Sequence, residues 1–146
     1  MNYNPKCKEY LEAMLNISKT TVDYFYVWDI LNARMWFFGG DLEERFHLKA
    51  NSFESIHQEA YFSIVHPSDY EELTEHLTAI KEGKVEEYNF NYRLFAKEEK
   101  PVWVNNRGSV VEKSDGLPSI LVGSISFDVL ENKINEITGL YNRRVL

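Results

Sequence analysis

Four histidines, one cysteine and several paired acids are the residues of this chain with the chemistry to hold a metal or move a proton. His47, His57, His66 and His76 offer no H-x-x-x-H pair that would set two imidazoles on one helix face, so no metal site is assigned. Glu86-Glu87 and Glu98-Glu99 fall at strand ends or turns, where a solvated face is the default. No order of nucleophile, base and acid stands out, and no catalytic residue is assigned. What remains suits holding a ligand better than transforming one. Tyr88, Phe90 and Tyr92 alternate with polar neighbours and are expected to face inward. Asn106 interrupts the apolar set Val102, Val104 and Val110, and a polar group on an inward face needs a partner: a ligand, a buried water or a backbone group. His76 borders the apolar stripe of Leu73, Leu77 and Ile80. Tyr88, Phe90, Tyr92, Asn106 and His76 form the candidate pocket.

The elements that must position these residues are legible from periodicity. Residues 5 to 19 read as a helix, with Tyr10, Leu11, Met14, Leu15 and Ile17 as its apolar stripe, packing on its own domain or pairing with a second chain. Val22 to Ile30 and Ala33 to Phe38 read as a hairpin turning at Asn32 and ending at Gly39-Gly40. Asp41 to His47 suits a short helical turn, and Asn51 with Glu54 resembles the cap of a second. Ser68-Asp69-Tyr70-Glu71 after Pro67 predicts a capping box opening a longer helix that Gly83 stops. Three strands follow, over Glu87–Leu94, Val102–Val111 and Ser119–Asp128, with Ser114-Asp115-Gly116 turning between the last two. From Val129 the spacing of Leu130, Ile134 and Ile137 returns to helix. The expected fold class is α+β: one five-stranded antiparallel sheet with helices on one face.

Composition removes several functions. Sixteen basic against 23 acidic residues give a net charge of −7 with no basic stripe, which argues against nucleic acid and anionic membrane surfaces as partners. Met1 to Tyr10 lacks the apolar core of a signal peptide, and no run approaches the roughly 20 apolar residues that span a bilayer. The lone Cys7 excludes an internal disulfide and suits a reducing compartment, so a cytoplasmic location is expected. Aromatic residues make up 14% of the chain, enough either to fill the core of a small sheet or to stack a planar ligand.

Two stretches carry a family resemblance. Ile64-Val65-His66-Pro67-Ser68-Asp69-Tyr70 is similar to the entry of the long helix of PAS domains. Tyr92-Arg93, Val102-Trp103-Val104, Asp115-Gly116, Leu121-Val122-Gly123 and Asp128 together resemble the C-terminal PAS motif, although Asp128-Val129-Leu130 replaces the usual Asp-Ile-Thr. Asn135-Glu136-Ile137-Thr138-Gly139-Leu140-Tyr141-Asn142-Arg143-Arg144 resembles the opening of a GGDEF domain, with Asn135 and Ile137 in place of the usual Asp and Leu. Gly39-Gly40-Asp41 is no part of that signature: Leu42-Glu43 follows it, and it lies ahead of the domain start.

The resemblance implies an N-terminal helix at 1–20, a PAS-like sensor at 21–129, a linker helix at 130–138 and a truncated GGDEF start at 139–146. It implies a bacterial sensory and dimerisation module controlling a diguanylate cyclase, whose catalytic part lies outside this chain. Such cyclases join two GTP molecules, one per subunit, so a homodimer through Leu130, Ile134, Ile137 and the N-terminal helix is expected. Haem through His76 is disfavoured by its place at the edge of an apolar stripe. Covalent flavin chemistry is disfavoured because Cys7 precedes the first strand; a small-molecule signal of unknown identity is left open. A ligand-free dimerisation scaffold and a small α+β enzyme are the competing readings.

Overall fold

The computed structural model describes residues 3–98 and 100–127. The expected linker seam at Leu130, Ile134 and Ile137 and the GGDEF-like stretch 135–144 lie outside the described residues. In chain order the elements are α1 (Cys7–Ser18), β1 (Tyr24–Asp29), β2 (Arg34–Phe38), α2 (Leu42–Phe46), β3 (Ile56–His57), α3 (Gln58–Phe62), α4 (Pro67–Lys81), β4 (Glu87–Leu94), β5 (Val102–Ser114) and β6 (Leu117–Ser126). All strands join one antiparallel sheet in the order β3-β2-β1-β6-β5-β4. It has six strands where five were expected. The extra one, β3, is two residues long and pairs with Arg34 and Met35, too short to show an alternating pattern.

Alternation along the strands decides which face each side chain enters. Tyr24, Tyr26 and Trp28 of β1, with Tyr88 and Tyr92 of β4, are buried on the face covered by α2, α3 and α4. Val27, Trp36, Phe38 and Ile120 point to the opposite face, where Cys7 and Leu11 of α1 cover them. Helices α2, α3 and α4 share one face, as expected, and the N-terminal helix α1 covers the other. The reason is in β1 and β2, which are apolar on both sides and need two covers. The N-terminal helix α1 packs on its own sheet. Tyr10 donates to Glu112 at 2.7 Å, and the buried Asp29 carboxylate accepts from the Asn4 backbone at 2.6 Å. Ile17, expected in the apolar stripe, is half exposed, because the buried side of α1 runs through Cys7, Leu11 and Ser18.

The caps differ from expectation in one consistent way. Histidine does the work assigned to Ser68 and Asn51. His66 precedes Pro67 and its Nδ1 accepts from the Ser68 backbone N–H at 3.1 Å, while His57 accepts from Glu59 N–H at 3.1 Å. Ser68 thus sits inside the first turn of α4. Asn51 caps no helix. Its backbone takes a positive φ of 59°, and its side-chain amide bonds both Gly39 N–H and Gly39 C=O at 2.9 Å, standing in for a strand partner beyond β2. Glu54 instead pairs with Lys49.

Asp69, freed from any capping box, ties α4 to β4. It accepts from the Arg93 backbone N–H at 2.8 Å and from the guanidinium at 2.9 Å through each of its two oxygens. Burial alone raises the Asp69 carboxyl, but the Arg93 hydrogen bonds outweigh it and hold the group below its ordinary value. A depressed carboxyl contributes stability that is complete above the ordinary carboxylate range and is lost as pH falls through the lowered value. Asp69→Asn is accordingly expected to cost about 1 kcal/mol at neutral pH. Urea titrations should show the gap to wild type closing in acid; a gap independent of pH would remove the ion pair from the account. At the far end of the sheet, the hairpin β5–β6 turns at Asp115 and Gly116, with φ of 53° and 80°, the left-handed pair that a two-residue connection requires.

Candidate functional site

A chain of hydrogen bonds between buried side chains crosses the interior beneath α3 and α4. Tyr26 of β1 donates from its hydroxyl to Asn106 Oδ1 of β5 at 2.6 Å. Asn106 Nδ2 donates to the Tyr92 hydroxyl of β4 at 2.9 Å, and that hydroxyl is hydrogen-bonded to Tyr61 of α3. Two phenols are thus partners of Asn106, one at each end of its amide. None of these four residues is more than 5% exposed, and each buried polar atom among them has a partner. Burial pushes the Tyr92 phenol up to about 12 and the Tyr26, Tyr61 and Tyr88 phenols well above their ordinary value, so all four stay protonated in the physiological range.

Two glycines make the chain of bonds possible. Tyr26 on β1 and Asn106 on β5 are separated by β6, so the Tyr26 side chain must lie across that strand. It pairs in register with Gly123, which in turn pairs with Gly108. A Cβ at Gly123 would stand 2.5 Å from the Tyr26 ring and 2.3 Å from the Arg107 carbonyl oxygen, and one at Gly108 would stand 2.8 Å from the Tyr26 hydroxyl. The pair thus forms a shallow trough in the sheet that seats the ring.

The cluster borders a cavity of about 10 Å³, roughly the room one water needs. Of the five candidate pocket residues, Tyr88, Tyr92 and Asn106 line it. Phe90 lies one step outside, stacked on Tyr92 with ring centroids 5.8 Å apart. His76 is exposed on α4 and packs over Phe90 at 4.4 Å, away from the cavity. A haem held by His76 does not fit this arrangement, and neither does a flavin adduct at Cys7, which opens α1 and is buried between that helix and the opposite face of the sheet. There, burial first and the Asp29 charge second push the Cys7 thiol up to about 12, so it is protonated and unreactive.

Sequence reasoning missed Tyr26, Tyr61, Gly108 and Gly123 as members of the site. Tyr26 shares the alternation that places Tyr24 and Trp28 inward, and a glycine inside a strand signals a close approach, so three of the four carried a readable sign. Tyr61 sits in a five-residue helix with no period to read.

A second cluster closes the end of β6. Phe127, the residue after that strand, stacks on Phe46 of α2 at 5.3 Å and meets Tyr24 edge-on at 4.9 Å. The Arg45 guanidinium lies 4.6 Å from the Phe127 ring centroid, and the Tyr24 hydroxyl is bonded to Asp41. Both clusters belong to the same core, so the helical layer, the polar cluster and the point where the chain leaves the sheet are in mechanical contact. Among the described residues no helix is long and apolar enough to cross a membrane.

A family model described as the PAS fold matches residues 37–125. Solved structures share the fold. The N-terminal domain of a diguanylate cyclase with PAS/PAC sensor from Marinobacter aquaeolei is similar with a TM-score of 0.61 and 20% identity, over 75% of this chain and 98% of that one. A sensory box histidine kinase/response regulator from Burkholderia thailandensis gives 0.61 and 20%, over 91% and 94%. The PAS domain of a protein from Colwellia psychrerythraea gives 0.57 and 14%, over 84% and 96%. No curated protein matches the chain.

Proposed function

The chain belongs to the PAS-fold family, and from that premise we propose that it is a sensory and dimerisation module regulating a downstream diguanylate cyclase. The observation that carries this reading is the clasp at the end of β6. Phe127 couples the strand that leads toward the next segment to α2, and α2 packs on the same core as the buried phenol cluster. A change in the interior thus has a physical path to Phe127, the last of the described residues. The cyclase is supported by the TGL-x-NRR text at 138–144 and by the printed description of the Marinobacter relative. Dimerisation through Leu130, Ile134, Ile137 and the N-terminal helix is part of the same proposal, because the product needs one GTP from each of two subunits.

The test uses the protein extended through the coding sequence that follows Leu146. An intact Gly-Gly-Asp/Glu-Glu-Phe is expected there, and purified protein should convert GTP to cyclic di-GMP. Phe127→Ala is expected to change that rate about fivefold or more, in either direction, the size of a typical coupling free energy. Absence of the motif and of product overturns the cyclase assignment, and equal rates overturn the coupling route. A second reading, a ligand-free scaffold, is favoured by the small interior cavity. Native mass spectrometry separates the two, since a co-purifying small molecule belongs only to the sensor.

A further inference from the structure

Resting on the reading above, which makes the interior the place where a signal acts, we infer that the buried phenol cluster selects a neutral ligand that accepts hydrogen bonds and has none to donate, through a carbonyl oxygen or a ring nitrogen. The cluster holds more protons than it can use. Tyr26, Tyr61 and Tyr92 bring one hydroxyl proton each and the Asn106 amide brings two, five in all. Three hydrogen bonds join the four side chains, and each uses one proton. Two of the five are left: one on the amide and one on the Tyr61–Tyr92 pair. Turning the Asn106 amide over exchanges its two ends and leaves the count unchanged. Tyr88, whose phenol acts on Tyr92, adds one proton and at most one bond.

This surplus sets the chemistry of an occupant. A buried donor without an acceptor costs about 1–3 kcal/mol, so a ligand lone pair gains what the cluster forfeits, whereas a ligand donor enlarges the surplus. No residue lining the cavity carries a charge, and an anion buried there would have no counter-charge. The occupant is therefore an uncharged acceptor. The cavity of about 10 Å³ admits little more than the accepting atom, so the body of a ligand takes the place of a wall side chain. Leu77 is the half-buried member of that wall on α4, and moving it exposes less apolar surface than moving Leu73, which is 1% exposed.

Leu77→Ala widens the cavity for a direct test with three rings of similar shape. Pyridine carries one acceptor, benzene carries neither donor nor acceptor, and pyrrole carries one donor. In an apolar cavity benzene is favoured, because pyridine gives up a hydrogen bond to water. Here, at about pH 8, pyridine is expected to bind about tenfold more tightly than benzene, and pyrrole more weakly than both, in calorimetric titrations. Benzene or pyrrole binding as tightly as pyridine overturns the inference, as does binding of none of the three. Should Leu77→Ala not fold, Leu77→Val is read in the same way. Failure here leaves the cyclic di-GMP assay of the extended protein untouched, so the two proposals fail separately.

Discussion

Gly123→Ala is expected to lower the melting temperature by roughly 10 °C, the effect of about 3 kcal/mol on a domain of this size. The methyl group has nowhere to go. On one side it meets the Arg107 carbonyl oxygen at 2.3 Å, which is backbone of the neighbouring strand, and on the other the Tyr26 ring at 2.5 Å. Separating β6 from β5 breaks a ladder at the middle of the sheet, so the Tyr26 ring gives way first. Its displacement breaks the bond to Asn106 and disturbs its packing on Phe37. A Tyr26→Leu background provides the internal control, because the ring that collides is gone. Adding Gly123→Ala there should cost less than half as much, a coupling that a double-mutant cycle measures. Equal costs in the two backgrounds would mean that the strand backbone, and not the seat of Tyr26, is what the glycine protects.

Asn106→Leu is expected to cost about 3 kcal/mol by urea denaturation although it keeps the side-chain volume nearly constant. The amide is the bridge between Tyr26 and Tyr92, and both hydroxyls are fully enclosed. Leucine leaves the Tyr26 hydroxyl with no partner and takes one from Tyr92, in surroundings where water does not replace it. The asymmetry between breaking a buried polar pair and removing it gives the control. Asn106→Leu combined with Tyr26→Phe removes both ends of one bond and should recover about half of the loss. A single variant as stable as wild type would show that the cluster contributes nothing to the fold. An unaltered double variant would place the cost elsewhere in the core.

Much of the architecture was open to reading along the chain, for reasons that can be named. The two-residue period of β4 follows from the pleat, so it placed Tyr88 and Tyr92 inward, and the same period in β1 carried an unread sign for Tyr26. Asp115-Gly116 marked its turn because few other pairs adopt two positive φ angles at low cost. Pro67 and Gly83 bracketed α4 through the constraints they place on their own backbones. The same reading misplaced the caps. Ser68 and Asn51 have the right chemistry, yet His66 and His57 stood one position ahead of the helix with a lone pair already aimed at it. It also missed β3, which is too short to show any period.

What the sequence determined by itself, then, is local: which residues alternate and where the backbone must turn. The tertiary structure decided everything that depends on strand order. Tyr26 and Asn106 lie 80 positions apart and meet only because β6 inserts between β1 and β5 with a glycine at the crossing. Strand order likewise put Cys7 on the far face and brought Tyr26 and Tyr92 to the two ends of the Asn106 amide. Periodicity is written by the bond geometry of neighbouring residues, whereas a hydrogen-bond partner is chosen by register between strands, which no short stretch of chain encodes.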